Sequence, residues 1–197
     1  DLERPAGPFG STLELLDSGA LSEAGFTRVG VAGHPEGHRA VAPGALLAAL
    51  RHKQEFASRT GIAAHIVTQF GFDLEAVRAW ARRLADEGIR LPVHVGIAGP
   101  TPMARLLKFA MQCGVAQSLH AVAGNLGNFS QLASRAAGPD ELLLALARRH
   151  IAAETSFLVK PHFFSFGGAL STAAWLRALV RGDFELHPDG KRIIARP

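Results

Sequence analysis

His34 and His38 bracket the turn Gly33-His34-Pro35-Glu36-Gly37-His38. Two imidazoles four residues apart could share a metal ion on a helix, but Pro35 and Gly37 keep this segment non-helical. No His-Glu-x-x-His occurs and Cys113 is the only cysteine, so neither a helical zinc pair nor a thiolate site is expected. Two readings remain for the rings: donors to an anionic or polar cofactor from a turn at a strand end, or solvated turn residues. Lys53 stands one turn beyond an apolar helix face, where it is either solvated or able to reach a phosphate. Gln69 interrupts the apolar run Ile66-Val67-Thr68-Gln69-Phe70, which Gly71, Phe72 and Asp73 end. At the carboxyl end of a buried parallel strand its amide could meet a ligand, and it could equally be a satisfied loop amide. Phe109, on a helix after the next strand, reads as core. No Gly-x-Gly-x-x-Gly follows a strand and no P-loop lysine pattern occurs. Ser165 has Phe163 two residues before it, so it is no nucleophile elbow.

The elements that would position these residues follow from periodicity. Ser11 and Glu14 form a capping box opening a helix through Leu13, Leu15, Leu16 and Leu21. Phe26 to Ala32 reads as a buried strand. A helix follows from Pro43 to Arg59, with Leu46, Leu47 and Leu50 on one face. After the strand through Gln69, Asp73 caps a helix that buries Leu74, Val77, Ala81 and Leu84, turns Arg78, Arg82 and Arg83 to solvent, and stops at Gly88. Leu91 to Ile97 is a third strand. Thr101 is expected to cap the next helix, with Pro102 at its first position and Leu106, Leu107, Ala110 and Met111 inward, ending near Gly114. From Ser118 to Gly138 the pattern weakens around Gly124, Asn125, Gly127 and Asn128, which marks a loop. Pro139-Asp140-Glu141 opens a helix through Leu144 and Ile151. A short strand, Phe163 to Phe166, leads through Gly167-Gly168 into a last helix from Ser171 to Gly182, and then a polar surface tail. Alternation of this kind predicts an α/β fold with a parallel sheet and right-handed crossovers. About four strands make half of a (βα)8 TIM-type barrel, and 197 residues fall short of the roughly 250 a closed one uses. Residues 1–197 are expected to form one domain, a partial barrel lacking its first strands. Because the sequence starts at Asp1 and not at Met, a fragment is expected.

Composition narrows the function classes. Apolar residues make up 48% and charged ones 19%, a globular balance. No apolar run is long enough to span a membrane and no basic-then-apolar leader opens the sequence, so no membrane association is expected. A lone cysteine forms no internal disulfide, which fits a reducing compartment and predicts a cytoplasmic protein. The net charge of +4 comes mostly from arginines spread over many helices, without the basic stripe and interleaved aromatics of a nucleic-acid binder.

Several segments, in order, resemble the carboxyl-terminal half of the methylenetetrahydrofolate reductase family. They are Ala32-Gly33-His34-Pro35-Glu36-Gly37-His38, Leu50-Arg51-His52-Lys53, Thr68-Gln69-Phe70-Gly71-Phe72-Asp73, Gly96-Ile97 through Lys108-Phe109, and His162-Phe163-Phe164-Ser165-Phe166. The resemblance implies a flavin-dependent barrel, with FAD across the carboxyl ends of the strands. FAD would be reduced by NADH or NADPH and reoxidised by 5,10-methylenetetrahydrofolate, giving 5-methyltetrahydrofolate. By the same resemblance Asp1 matches a catalytic aspartate beside flavin and pterin, where its carboxylate would favour a cationic iminium electrophile. Gly10, His34, His38, His52 and Lys53 match flavin contacts. Gln69 would orient folate or nicotinamide, Phe109 would pack on whichever is bound, and Arg105 stands where some members carry a substrate-contacting glutamine. A homo-oligomer is the expected assembly. Leu46 replaces a flavin-binding aspartate, and Gly167-Gly168 replaces an Asn-Arg pair that helps hold the folate tail. The family's general-acid glutamate belongs to strands outside this sequence, so the chain alone is not expected to complete the reaction. Two alternatives stand beside this expectation: a related flavoprotein with a changed substrate, and a non-catalytic half-barrel that pairs with a second polypeptide.

Overall fold

Strands form where β-branched residues alternate with small or polar ones, because side chains then divide between two sheet faces. A computed structural model describes residues 7–38, 40–71, 73–113, 140–151, 158–166, 168–190 and 192–196. In chain order they form α1 (Thr12–Asp17), α2 (Ala20–Glu23), β1 (Arg28–Gly33), α3 (Pro43–Thr60), β2 (Ala63–Phe70), α4 (Leu74–Asp86) and β3 (Val93–Ala98). There follow α5 (Met103–Cys113), α6 (Asp140–Ile151), β4 (Leu158–Phe164), α7 (Ala169–Arg181), β5 (Phe184–Leu186) and β6 (Ile193–Ala195). Strands β1 to β4 make one parallel sheet in sequence order, and β5 and β6 make a separate antiparallel pair. The fold is therefore α/β, with a four-stranded parallel sheet and helices. No described helix is long and apolar enough to cross a membrane.

One face of the sheet builds the main core. Val31, Ile66, Val93, Val95 and Ile97 pack with Leu74, Val77, Trp80 and Leu84 of α4, and with Leu142 and Leu146 of α6. Gly33 is part of that fit, since a Cβ there would lie 2.4 Å from Ile66 and 2.8 Å from the Trp80 ring. A smaller cluster of Leu16, Phe56 and Ile62 fastens α1 to α3. On the opposite face Gly30 and Ala32 are exposed.

The element boundaries depart from expectation for local reasons. The first helix is two short ones, because Gly19 takes a left-handed φ of 81°. The first strand starts at Arg28; Phe26, 53% exposed, instead donates its N–H to Leu21 and closes the turn after α2. Strand β3 begins after Pro92, which has no N–H for a ladder. Helix α5 begins one residue late, its first bonds accepted by the Pro102 carbonyl, and the Thr101 hydroxyl that was to cap it is buried with no hydrogen-bond partner among the described residues. Met111 is 64% exposed, while Leu106 and Ala110 are fully buried as expected. Strand β4 starts ahead of Phe163 and ends before Phe166; its Pro161 is tolerated because β4 is an edge of the described sheet. The tail is not simply polar: Asp189-Gly190 lies between β5 and β6, and Asp140 accepts the Ile193 N–H at 3.1 Å. The helix end at Gly114, the loop from Ser118 to Gly138, Asp1, Phe72 and Gly167 lie outside the described residues.

Candidate functional site

The chemistry-bearing residues gather where β1 and β2 release the chain toward their helices. Strand β2 carries one irregularity there: Val67 pairs with His94, yet Phe70 pairs with Gly96. Thr68 makes this bulge possible, because its hydroxyl accepts the Gly96 N–H and donates to the Gln69 carbonyl, both at 2.8 Å. Gly96 is required opposite it, since a Cβ would come within 2.4 Å of the Thr68 carbonyl oxygen. Beyond the bulge, Gln69 and Phe70 line a small open hollow with Pro35, Glu36, Gly71 and Val77. Gly71 leaves room for the Glu36 carboxylate, which would stand 3.2 Å from a Cβ at that position.

The β1–α3 turn continues from that hollow into a basic group. The His34 and His38 rings meet edge to face at 5.2 Å. His38 Nδ1 accepts the Ala40 N–H at 3.2 Å, which places the ring proton on Nε2. Lys53 reaches the same neighbourhood from α3 and is only 8% exposed. Burial pushes its pKa down, with no carboxylate acting in the other direction. His34 is pushed down first by burial and then by the charges of His38 and Lys53. The three side chains thus offer hydrogen-bond donors and positive charge at one turn, with Glu36 in the same loop.

A second group forms at the ends of β2, β3 and β4. The Phe109 ring lies against Phe166 at 4.7 Å, tilted 31°, and Phe70 meets Phe166 at 4.7 Å and 72°. Phe164 lies 6.0 Å from Phe166 and carries His162 at 4.8 Å. Arg105 donates to the Phe166 carbonyl at 3.3 Å. Phe166 has a φ of 41°, a left-handed conformation costing a non-glycine residue about 1–3 kcal/mol, held by aromatic neighbours on several sides.

The structure thus joins His34, His38 and Lys53, sets Gln69 beside the same turn through Pro35 and Glu36, and groups Arg105 with Phe109. Two expected flavin contacts lie elsewhere. His52 pairs with Asp17 of α1 at 2.9 Å, and that carboxyl is held low first by Arg59 and then by His52. Gly10 donates its N–H to Glu14 at 2.7 Å and serves the start of α1. Asp1 lies outside the described residues. Sequence reasoning missed Thr68, Glu36 and Phe166 as site-building residues; a hydroxyl inside an apolar strand and a phenylalanine-rich strand end were the available signals. Among the described residues no group of three or more His, Cys, Asp or Glu is placed to hold a metal ion. No protein-family model matches the sequence.

Proposed function

We propose that the chain is the carboxyl-terminal half of a (βα)8 flavoprotein of the methylenetetrahydrofolate reductase type, cytoplasmic and active once its remaining strands are present. The observation that carries this reading is the basic group of His34, His38 and Lys53 at the carboxyl ends of parallel strands. A mostly buried lysine beside His34, which in turn meets His38, suits an anionic or acceptor-rich ligand. That donor set fits FAD, whose pyrophosphate and ring carbonyls are acceptors. Lys53 would neutralise ligand charge, and His34 and His38 would donate from the turn.

When bound, FAD supplies the hydride chemistry between NAD(P)H and 5,10-methylenetetrahydrofolate. The residues of this chain bind and orient. The Gln69 amide, carried on the backbone that the Thr68 bulge fixes, would align the folate or nicotinamide through paired donor and acceptor atoms. Phe109 has one face against Phe166 and would offer the remainder of its ring to a planar substrate. Arg105, anchored on the Phe166 carbonyl, stands near enough to that ring to meet a polar substituent.

A related flavoprotein with another acceptor is the second reading, favoured by Gly168 in place of the arginine that helps hold the folate tail. Titration of the folded chain with FAD, followed by quenching of flavin fluorescence, tests the cofactor; a chain with native circular dichroism and no FAD uptake would refute it. In the completed protein, Gln69→Ala should slow reoxidation by methylenetetrahydrofolate about tenfold or more while leaving flavin content intact. An unchanged rate removes Gln69 from the substrate site. A flavin that NADH bleaches and methylenetetrahydrofolate cannot restore favours the second reading.

A further inference from the structure

Helix α3 buries three residues, Leu50, Lys53 and Phe56, which recur every third position and so share one face. Leu50 belongs to the main core and Phe56 to the smaller cluster of α1 and α3. An amine therefore stands in the seam between two apolar clusters, on a side chain only 8% exposed. Lysine is rarely buried so far without a partner, yet the Lys53 amine makes no hydrogen bond or ion pair with any described residue. Leucine or methionine would fill the position without the cost of drawing an ammonium out of water, so packing alone does not account for a lysine there. Burial lowers its pKa, and burial also lowers that of His34 ahead of the charges of His38 and Lys53. Beside it, in the β1–α3 turn, His34 is half-buried and His38 exposed. Glu36, the acidic residue of that turn, lies toward Gly71 and the Gln69 hollow.

We propose that, in the chain without cofactor, Lys53 is a nucleophilic amine that captures an aldehyde carrying an anionic group. An exposed lysine, at an ordinary value of about 10.4, keeps only roughly one amine in two thousand neutral at pH 7. A desolvated one keeps far more of the free base, which is the form that attacks carbonyl carbon. The Lys53 nitrogen adds to that carbon, forming the C–N bond while the carbonyl oxygen takes a proton from nitrogen and becomes a hydroxyl. His34, held neutral by burial, accepts the second nitrogen proton and returns it to the departing hydroxyl, which leaves as water. The product is an imine; nothing is oxidised or reduced, and no co-reactant is consumed. His38, whose Nδ1 accepts the Ala40 N–H, presents its Nε2 proton to the anionic group of the aldehyde. The inference uses the same basic turn as the proposed flavin site and needs none of its flavin chemistry.

The test treats the folded 197-residue chain, free of FAD, with limiting pyridoxal 5′-phosphate, reduces the imine with borohydride and maps the labelled peptides by mass spectrometry. The sequence holds four lysines, Lys53, Lys108, Lys160 and Lys191, so each is scored separately. At pH 7 Lys53 should be labelled about tenfold or more faster than the exposed Lys108 and Lys160, and its rate should level off at a lower pH than theirs. With pyridoxal, which lacks the phosphate, that preference should shrink severalfold, and His38→Gln should shrink it in the same way for pyridoxal 5′-phosphate. Lys53→Met should remove the imine absorbance while circular dichroism reports the native fold. Labelling of Lys53 no faster than of Lys108, or an equal preference with the two aldehydes, would overturn the proposal. If Lys53 is selected and saturating FAD does not shield it, the flavin reading alone falls; if FAD binds and Lys53 is not selected, only this inference falls.

Discussion

The two faces of the parallel sheet are built from the same strands and serve different ends. On the helix side Ile66, Val93, Val95 and Ile97 are each at most 1% exposed and interlock with α4 and α6. On the other side stand exposed Gly30 and Ala32 and the bases Arg28, His65, His94 and Lys160, with no acidic residue in any of the four strands. Buried apolar area stabilises; a row of like charges at the surface contributes little and tends to repel. The difference teaches that cohesion of this chain is lodged in one face, while the strand ends are left for recognition.

Substitutions on the two sides should separate accordingly. Trp80→Ala removes the ring seated on Gly33 and should cost about 3–5 kcal/mol in urea denaturation, the range for emptying a well-packed aromatic site. Thr68→Val keeps the shape but removes the hydroxyl that satisfies the bulge, leaving the Gly96 N–H unpaired, for a loss of about 1–3 kcal/mol. A loss as large as that of Trp80→Ala would mean that the bulge belongs to the core and not to the site.

The smallest effect concerns pH. His34, His65 and His94 all have pKa values lowered by folding, so the unfolded chain binds more protons once pH falls toward the ordinary value of 6.5. Their burden is absent above that value, and stability should decline as pH drops below it. Replacing His65 and His94 together by Gln should flatten the slope of denaturation midpoint against pH between 7 and about 5. An unchanged slope would place the acid sensitivity elsewhere.

Much of this architecture was legible in the residues. The apolar spacing of Leu74, Val77, Ala81 and Leu84 with Asp73 ahead and Gly88 behind specifies α4, and the structure buries those four while Asp73 accepts two backbone N–H groups. Alternation of strands and helices gave the parallel sheet, though not its closure. The site was legible in part. The His34 turn and Lys53 come together because one loop and one helix turn hold them, whereas His52, adjacent to Lys53, points some 100° around the helix and finds Asp17 instead. Helical geometry alone separates such neighbours. Thr68 and Phe166 were not legible as site builders, because a bulge and a left-handed phenylalanine depend on contacts from β3 and α5 far along the chain.

The neighbouring pair His52 and Lys53 provides the most direct measurement. Titrating FAD into the wild-type chain and into Lys53→Met and His52→Ala variants, with folding checked by circular dichroism, compares a residue inside the basic group with one outside it. Flavin affinity should fall about tenfold or more for Lys53→Met and stay near wild type for His52→Ala. Equal losses for the two variants, or a folded wild-type chain that takes up no flavin, would contradict the assignment of His34, His38 and Lys53 as the cofactor's basic cradle.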